Sequence, residues 1–248
     1  MFKKLWAIPL LTCMLTPAYA DETIMLKAGY ASISSTGSIS STGAGVLGST
    51  LNLDNTLAMT KSSNVTLEAA IQLGDSRFGL SYMPLKFSGT KTVTAPVSFN
   101  GQSFKNNVTS TLDSSIIDLS YTYYLLNMDD MPSRLQLGIE SSLKFVSSKA
   151  MLSSTGLSKA VSANVPIPTI GLRGRVALAD FVGVTANVGY LGYGGNSFLD
   201  AQAQVEFSPL PTLGVYAGYR HIALKVDKVG LKVDTTFAGP FAGAFFRF

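Results

Sequence analysis

One histidine, one cysteine and a scatter of acids and bases are all that this 248-residue sequence offers for chemistry. His221 stands in Gly218-Tyr219-Arg220-His221-Ile222-Ala223. Its residue type could serve as a general base or in a Ser/His/acid relay. A zinc site needs several His or Cys ligands at defined spacing, and a single His with Cys13 far from it cannot supply them. No Gly-Lys-Ser/Thr phosphate loop or dinucleotide fingerprint occurs, and Gly192-Tyr193-Gly194-Gly195 reads as a tight hairpin turn. Asp129 and Asp130 fall in a polar connection where both carboxylates are solvated. No cofactor is expected. A larger group of charges shares a single position in the hydropathy pattern: basic Lys27, Arg77, Arg134, Lys144, Arg173, Arg175, Arg220 and Arg247, and acidic Glu68, Asp118, Glu140, Asp200 and Glu206. What they can do depends on the elements that carry them.

Those elements have a period of two. Val65, Leu67, Ala69, Ile71 and Leu73 alternate with Thr66, Glu68, Ala70 and Gln72, which gives a strand one apolar and one largely polar face. Leu135, Leu137 and Ile139 alternate with Gln136, Gly138 and Glu140, and Leu199 to Phe207 alternate with Asp200, Gln202, Gln204 and Glu206. The pattern predicts strands over 22–32, 65–73, 77–88, 114–125, 134–147, 165–178, 181–193, 197–207, 213–226 and 233–248. Short connections at 74–76, 179–180 and 208–212, with a somewhat longer one at 126–133, alternate with long polar stretches at 32–64, 89–113 and 147–164. That rhythm belongs to an up-and-down transmembrane barrel with short turns on one side and long loops on the other. The expected fold is all-β, a closed antiparallel barrel of about ten strands, with eight or twelve compatible with the same boundaries. Within the second polar stretch, Val97 to Phe104 reads as an Asn100-Gly101 hairpin between alternating arms.

Composition fits this reading. Only 14% of residues are charged against 46% hydrophobic, yet no apolar run reaches the roughly 18 residues of a membrane helix. Phe2-Lys3-Lys4, the apolar stretch Leu5 to Leu15 and Ala18-Tyr19-Ala20 form a cleavable export signal over 1–20, leaving a single domain over 21–248. A lipidated Cys13 is the rival reading, and Thr12 fits poorly where a small residue normally precedes such a cysteine. Lys3 and Lys4 account for two of the 19 basic residues, so the exported chain carries 17 against 15 acidic ones, a net charge of +2. Nucleic acid is not implied. Cys13 and Trp6 leave with the signal, so the mature chain has no thiol and its aromatic girdles must come from Tyr and Phe.

The chain ends Ala242-Gly243-Ala244-Phe245-Phe246-Arg247-Phe248. This resembles the C-terminal strand of small Gram-negative outer-membrane β-barrel proteins, similar in plan to the OmpA and OmpW groups, although Phe241 stands where that pattern usually has a polar residue. The resemblance implies a bacterial outer-membrane location and contact with lipid and lipopolysaccharide. It also implies recognition of Gly243, Phe246 and Phe248 by periplasmic chaperones and the barrel-assembly machinery. Some such barrels are enzymes, including lipid A deacylases and proteases with an Asp/His pair. His221 lacks the hydroxyl found two residues later in the deacylase pattern, where Ala223 stands. A non-enzymatic role is expected, with a deacylase-like hydrolase as the less favoured alternative.

By parity, the charged group lines the lumen: Glu68, Arg77, Asp118, Arg134, Glu140, Lys144, Arg173, Arg175, Asp200, Glu206 and Arg220, together with Lys27 and Arg247. Two outcomes follow. The charges pair across a narrow lumen and plug it, or their basic excess gives a slim passive channel for small polar or anionic solutes, with Gly138, Gly183, Gly189, Gly214, Gly218 and Gly243 leaving inner space. The Ser/Thr/Gly repeat Ile33-Ser34-Ser35-Thr36-Gly37 and Ile39-Ser40-Ser41-Thr42-Gly43 reads as a neutral, hydrated loop, or as an adhesive contact surface.

Overall fold

The computed structural model describes residues 22–41, 49–59, 61–128, 134–228 and 231–248. The proposed export signal and the Asp129-Asp130 pair lie outside the described residues. The strands are β1 (Glu22–Ser41), β2 (Leu51–Asn52), β3 (Ser62–Leu73), β4 (Ser76–Phe99), β5 (Gln102–Met128) and β6 (Leu135–Ser154). They continue as β7 (Leu157–Ala179), β8 (Val182–Tyr193), β9 (Asn196–Phe207), β10 (Leu213–Lys228) and β11 (Leu231–Arg247). Each long strand pairs antiparallel with the next, and β11 returns to β1 with Met25 opposite Arg247 and Ile39 opposite Val233. Ten long strands therefore close a barrel, and β2 is a two-residue addition to the outer half of β1.

The alternation decides which way each side chain points. Ile24, Leu26, Leu67, Leu80, Leu119, Leu137, Ile139, Leu172 and Val205 are exposed on the outer wall. A soluble protein would not leave so continuous an apolar belt in water, whereas lipid makes it the stable arrangement. Tyr30, Tyr82, Tyr190 and Tyr219 stand on the same face toward its far edge. The near edge carries the ring pairs Phe78–Tyr121 at 5.1 Å, Phe181–Phe207 at 5.9 Å and Phe246–Phe248 at 5.2 Å.

Much of the three polar stretches is strand: 89–113 and 147–164 are strand apart from their turns, while of 32–64 the strand parts are 32–41, 51–52 and 62–64, and Thr42-Gly43 of the second repeat copy lie outside the described residues. β1 runs on through the first copy of the repeat to Ser41, and β4 and β5 continue to a turn at Asn100-Gly101, where both residues have positive φ (45° and 78°). β6 and β7 continue to a turn at Thr155-Gly156. Polarity misleads there because both faces of a strand standing in water can be hydrophilic, and Thr and Ser sit well in sheets. β4 to β7 are 20 to 27 residues long, while roughly nine to eleven span a membrane. They form a tall wall beside the 12-residue β8 and β9.

Above Tyr82 the β3–β4 ladder stops. Residues 49–59 fill the gap: the Ser49 amide donates to the Ser98 carbonyl at 2.9 Å, Ser110 Oγ donates to the Leu57 carbonyl at 3.0 Å, and the Lys91 ammonium donates to the Asn55 carbonyl. Leu51, Leu53 and Leu57 pack there against Val97, Phe99, Phe104, Val108 and Leu152.

Candidate functional site in the barrel lumen

From the short-turn side upward, the lumen has three layers. The first surrounds Glu206, which β9 holds at 3% exposure. Its Oε1 accepts from Lys27 Nζ at 2.9 Å and Gln204 Nε2 at 2.8 Å, and its Oε2 accepts from Arg247 Nη2 at 3.1 Å with Arg175 Nε at 3.6 Å. One carboxylate thus serves three cations. Lys27 also lies 5.0 Å from the Tyr216 ring centre, and Arg247 lies 5.1 Å from that of Phe245. Nearby, Arg77 Nη2 donates to Glu68 Oε1 at 2.8 Å, and Arg173 Nη1 sits 3.5 Å from Glu140 Oε2. Glu140 also accepts from Thr122 at 3.1 Å and Asn187 at 3.3 Å.

At mid-height, Asp200 accepts a two-pronged bond from Arg220, Nε at 2.9 Å and Nη2 at 2.7 Å, and a third from Lys144 at 2.9 Å. Lys144 bridges on to Asp118. The planar guanidinium fork suits a carboxylate, and such bonds to charged groups are about twice as strong as neutral ones. Two acids here meet two bases.

The third layer is apolar. Ala31, Ile33, Met83, Leu85, Phe87, Leu112, Ile116, Ile167, Phe198 and Ile222 form a buried cluster inside the wall, and Phe87 stacks on Phe237 at 5.6 Å. Residues 49–59 cover it through Met59.

Of the lumen candidates, Arg134 differs in placement: its side chain is 49% exposed at the rim, 3.7 Å from Asp180. Two of the inward glycines play another part than leaving space. A Cβ on Gly214 would fall 2.3 Å from the Phe245 ring, and one on Gly243 would fall 2.3 Å from the Ala28 carbonyl and 2.8 Å from the Tyr216 hydroxyl. Gly214 and Gly243 thus seat neighbouring rings and backbone, whereas a Cβ on Gly183 would meet nothing nearer than 3.6 Å. Phe246 and Phe248 point outward. Phe241 turns inward beside Tyr216, at 6.0 Å between ring centres. His221 takes the outward parity of β10, with Ala201 and Ala238 opposite it on the neighbouring strands. Sequence reasoning missed the apolar layer: Ile33 and Leu112 lay in segments read as loops, and Met83, Leu85, Phe87, Ile116, Ile167, Phe198 and Ile222 lay within predicted strands but on the face assigned to the polar side.

No protein-family model matches the sequence, and no curated protein matches it significantly. Among solved structures, the outer-membrane protease OmpT from Escherichia coli superposes with a TM-score of 0.55 at 15% identity, covering 91% of this chain and 97% of the protease. The attachment invasion locus protein Ail of Yersinia pestis gives 0.41 at 13% identity, covering 92% and 99%. OprG from Pseudomonas aeruginosa gives 0.35 at 10% identity, covering 92% and 97%. At these identities the likeness bears on the fold alone, and the fold is that of the small outer-membrane β-barrels.

Proposed function

We propose that this protein is a closed barrel of the bacterial outer membrane, serving as a structural and surface-contact element of the envelope without an open pore or an enzymatic centre. The observation that carries the reading is the stacking inside the wall: a layer of buried ion pairs lies beneath a layer of packed Leu, Ile, Met and Phe. Ions crossing such a lumen would have to break charge-assisted bonds and then enter a hydrocarbon-like layer, and both steps are costly. The apolar outer belt supports insertion in lipid and contact with lipopolysaccharide. Gly243, Phe246 and Phe248, on the strand that closes the barrel, are the residues we assign to recognition by periplasmic chaperones and the assembly machinery. The outward-facing His221, with alanines opposite, supports a non-enzymatic reading.

The test is planar-bilayer recording on the refolded mature chain. Silence is expected. A steady conductance whose ion selectivity shifts when Arg173 and Arg175 are neutralised would establish the channel reading in its place.

A second reading concerns the tall β4–β7 wall, which favours contact with another surface through ordered strands. Shortening the hairpin by removing residues 95–104 should abolish such binding on whole cells and leave the barrel folded.

A further inference from the structure

The positive excess of the lumen is confined to one end. At mid-height Lys144 and Arg220 are matched by Asp118 and Asp200. Toward the short turns, Lys27, Arg77, Arg134, Arg173, Arg175 and Arg247 face Glu68, Glu140 and Glu206, with Asp180 at the rim beside Arg134. A cavity of about 300 Å³ lies among them, bordered by Arg77, Arg134, Arg173, Arg175 and Arg247. The only carboxylate on its wall among the described residues is Glu206, already shared by three cations. Arginine stays charged throughout the pH range in which proteins fold, so this excess cannot be relieved by losing protons.

Two buried donors on the same wall point to what is needed. Thr185 Oγ1 and Arg173 Nε have no hydrogen-bond partner among the described residues, although Thr185 is 1% and Arg173 6% exposed. A buried donor without an acceptor is unfavourable, and this cavity, with room for roughly ten waters at about 30 Å³ each, can admit an acceptor. A halide brings one negative charge at a single acceptor centre, which every donor would have to reach at once. A tetrahedral oxyanion answers both the charge and the donors, because its oxygens accept from guanidinium forks and a hydroxyl at once.

We propose that the turn-side cavity binds a small multivalent oxyanion of the phosphate class, held by Arg173, Arg175 and Arg247 with Thr185 as hydroxyl donor. The site lies toward the short turns, below the mid-height ion pairs, and does not depend on whether the barrel conducts.

Calorimetric titration of the refolded full mature chain with inorganic pyrophosphate, at fixed ionic strength with chloride as the balancing anion, tests this. One saturable site per chain is expected. Arg175→Gln should weaken binding at least about tenfold, the scale of one lost charge-assisted hydrogen bond, and Thr185→Val, which keeps every charge, should weaken it several-fold. Lys86→Gln, on the outer surface, should change nothing. Heat-modifiable migration on gels reports the folding of each variant, and Thr185→Val keeps the test open if Arg175→Gln does not fold. Absence of saturable binding, or equal affinity in wild type and Thr185→Val, would overturn the proposal. Equal weakening by Lys86→Gln would overturn it as well, by reducing the effect to general charge attraction.

Discussion

Glu206→Gln is the substitution that most directly tests whether ion pairing holds the lumen together. The carboxylate is 3% exposed and makes close contact with Lys27, Arg175 and Arg247, with Gln204 as a fourth donor. A glutamine in its place keeps one accepting oxygen but turns an NH₂ group toward guanidinium donors, so it loses the charge and sets donor against donor. Breaking a buried pair by removing one partner costs about 3–5 kcal/mol, because the surviving charge stays buried without its partner. Here three cations are affected at once, and the expected loss lies at the upper end of that range. Asp227→Asn is the internal comparison: the Lys232–Asp227 pair, at 3.7 Å, has side chains 72% and 56% exposed, and its removal should cost about 1 kcal/mol or less. Urea unfolding from lipid vesicles, followed by far-UV circular dichroism, measures both. The double variant Glu206→Gln with Lys27→Met should recover part of the loss, since it removes one of the stranded cations. If Glu206→Gln costs no more than Asp227→Asn, the lumen is hydrated enough to screen these charges, and the sealed-layer argument fails with it.

Three further substitutions probe the other parts of the wall. Leu119 is 47% exposed in the apolar belt, and Leu119→Arg should destabilise the folded state in vesicles by about 2–4 kcal/mol, the cost of a basic side chain near the bilayer midplane. Ser147→Arg, on the outer face of β6 beyond the belt, should stay within about 0.5 kcal/mol, and equal costs at the two sites would place the belt wrongly. At Gly89 an added Cβ would fall 2.2 Å from the Leu57 carbonyl and 2.4 Å from that of Ala58. Gly89→Val should therefore lift residues 49–59 off the wall and expose them to limited proteolysis, and cleavage no faster than in wild type would show that this segment is not seated there.

The barrel was legible because lipid imposes a strict rule. Where one face of a strand must be apolar, every second residue is constrained, and Leu67, Leu137 and Val205 reveal their orientation directly. The ion pairs were legible only as a set: parity placed Lys27 and Glu206 on one surface, but their 2.9 Å contact spans 179 residues and depends on how the strands are staggered around the closed barrel. The outer half was hidden because its strands are polar on the side that β1 and β6 present to water. The Asn100-Gly101 turn showed through, since the residue types of a tight hairpin are specific. A second signal was present and unused. In Tyr30-Ala31, Tyr82-Met83 and Ile117-Ile116, adjacent apolar residues face opposite ways, the first outward and the second inward. At these points the apolar parity of the strand inverts.

That inversion explains why one chain satisfies two solvents. Below it, Phe78, Leu80 and Tyr82 face out of β4 while Arg77 faces in. Lipid provides no drive to bury apolar groups, and the wall is held by its ladder and by the charges inside it. Above it, Met83, Leu85 and Phe87 face in while Lys86 and Ser88 face out. This half has the inward-apolar pattern of a barrel standing in water, and those side chains are buried against Ile33, Leu112 and Phe237. The apolar layer must therefore form just above the membrane edge, because that is the lowest level at which water outside makes an apolar interior favourable. On the closed-barrel reading proposed above, the seal across the lumen sits where lipid ends, in a barrel of only ten strands.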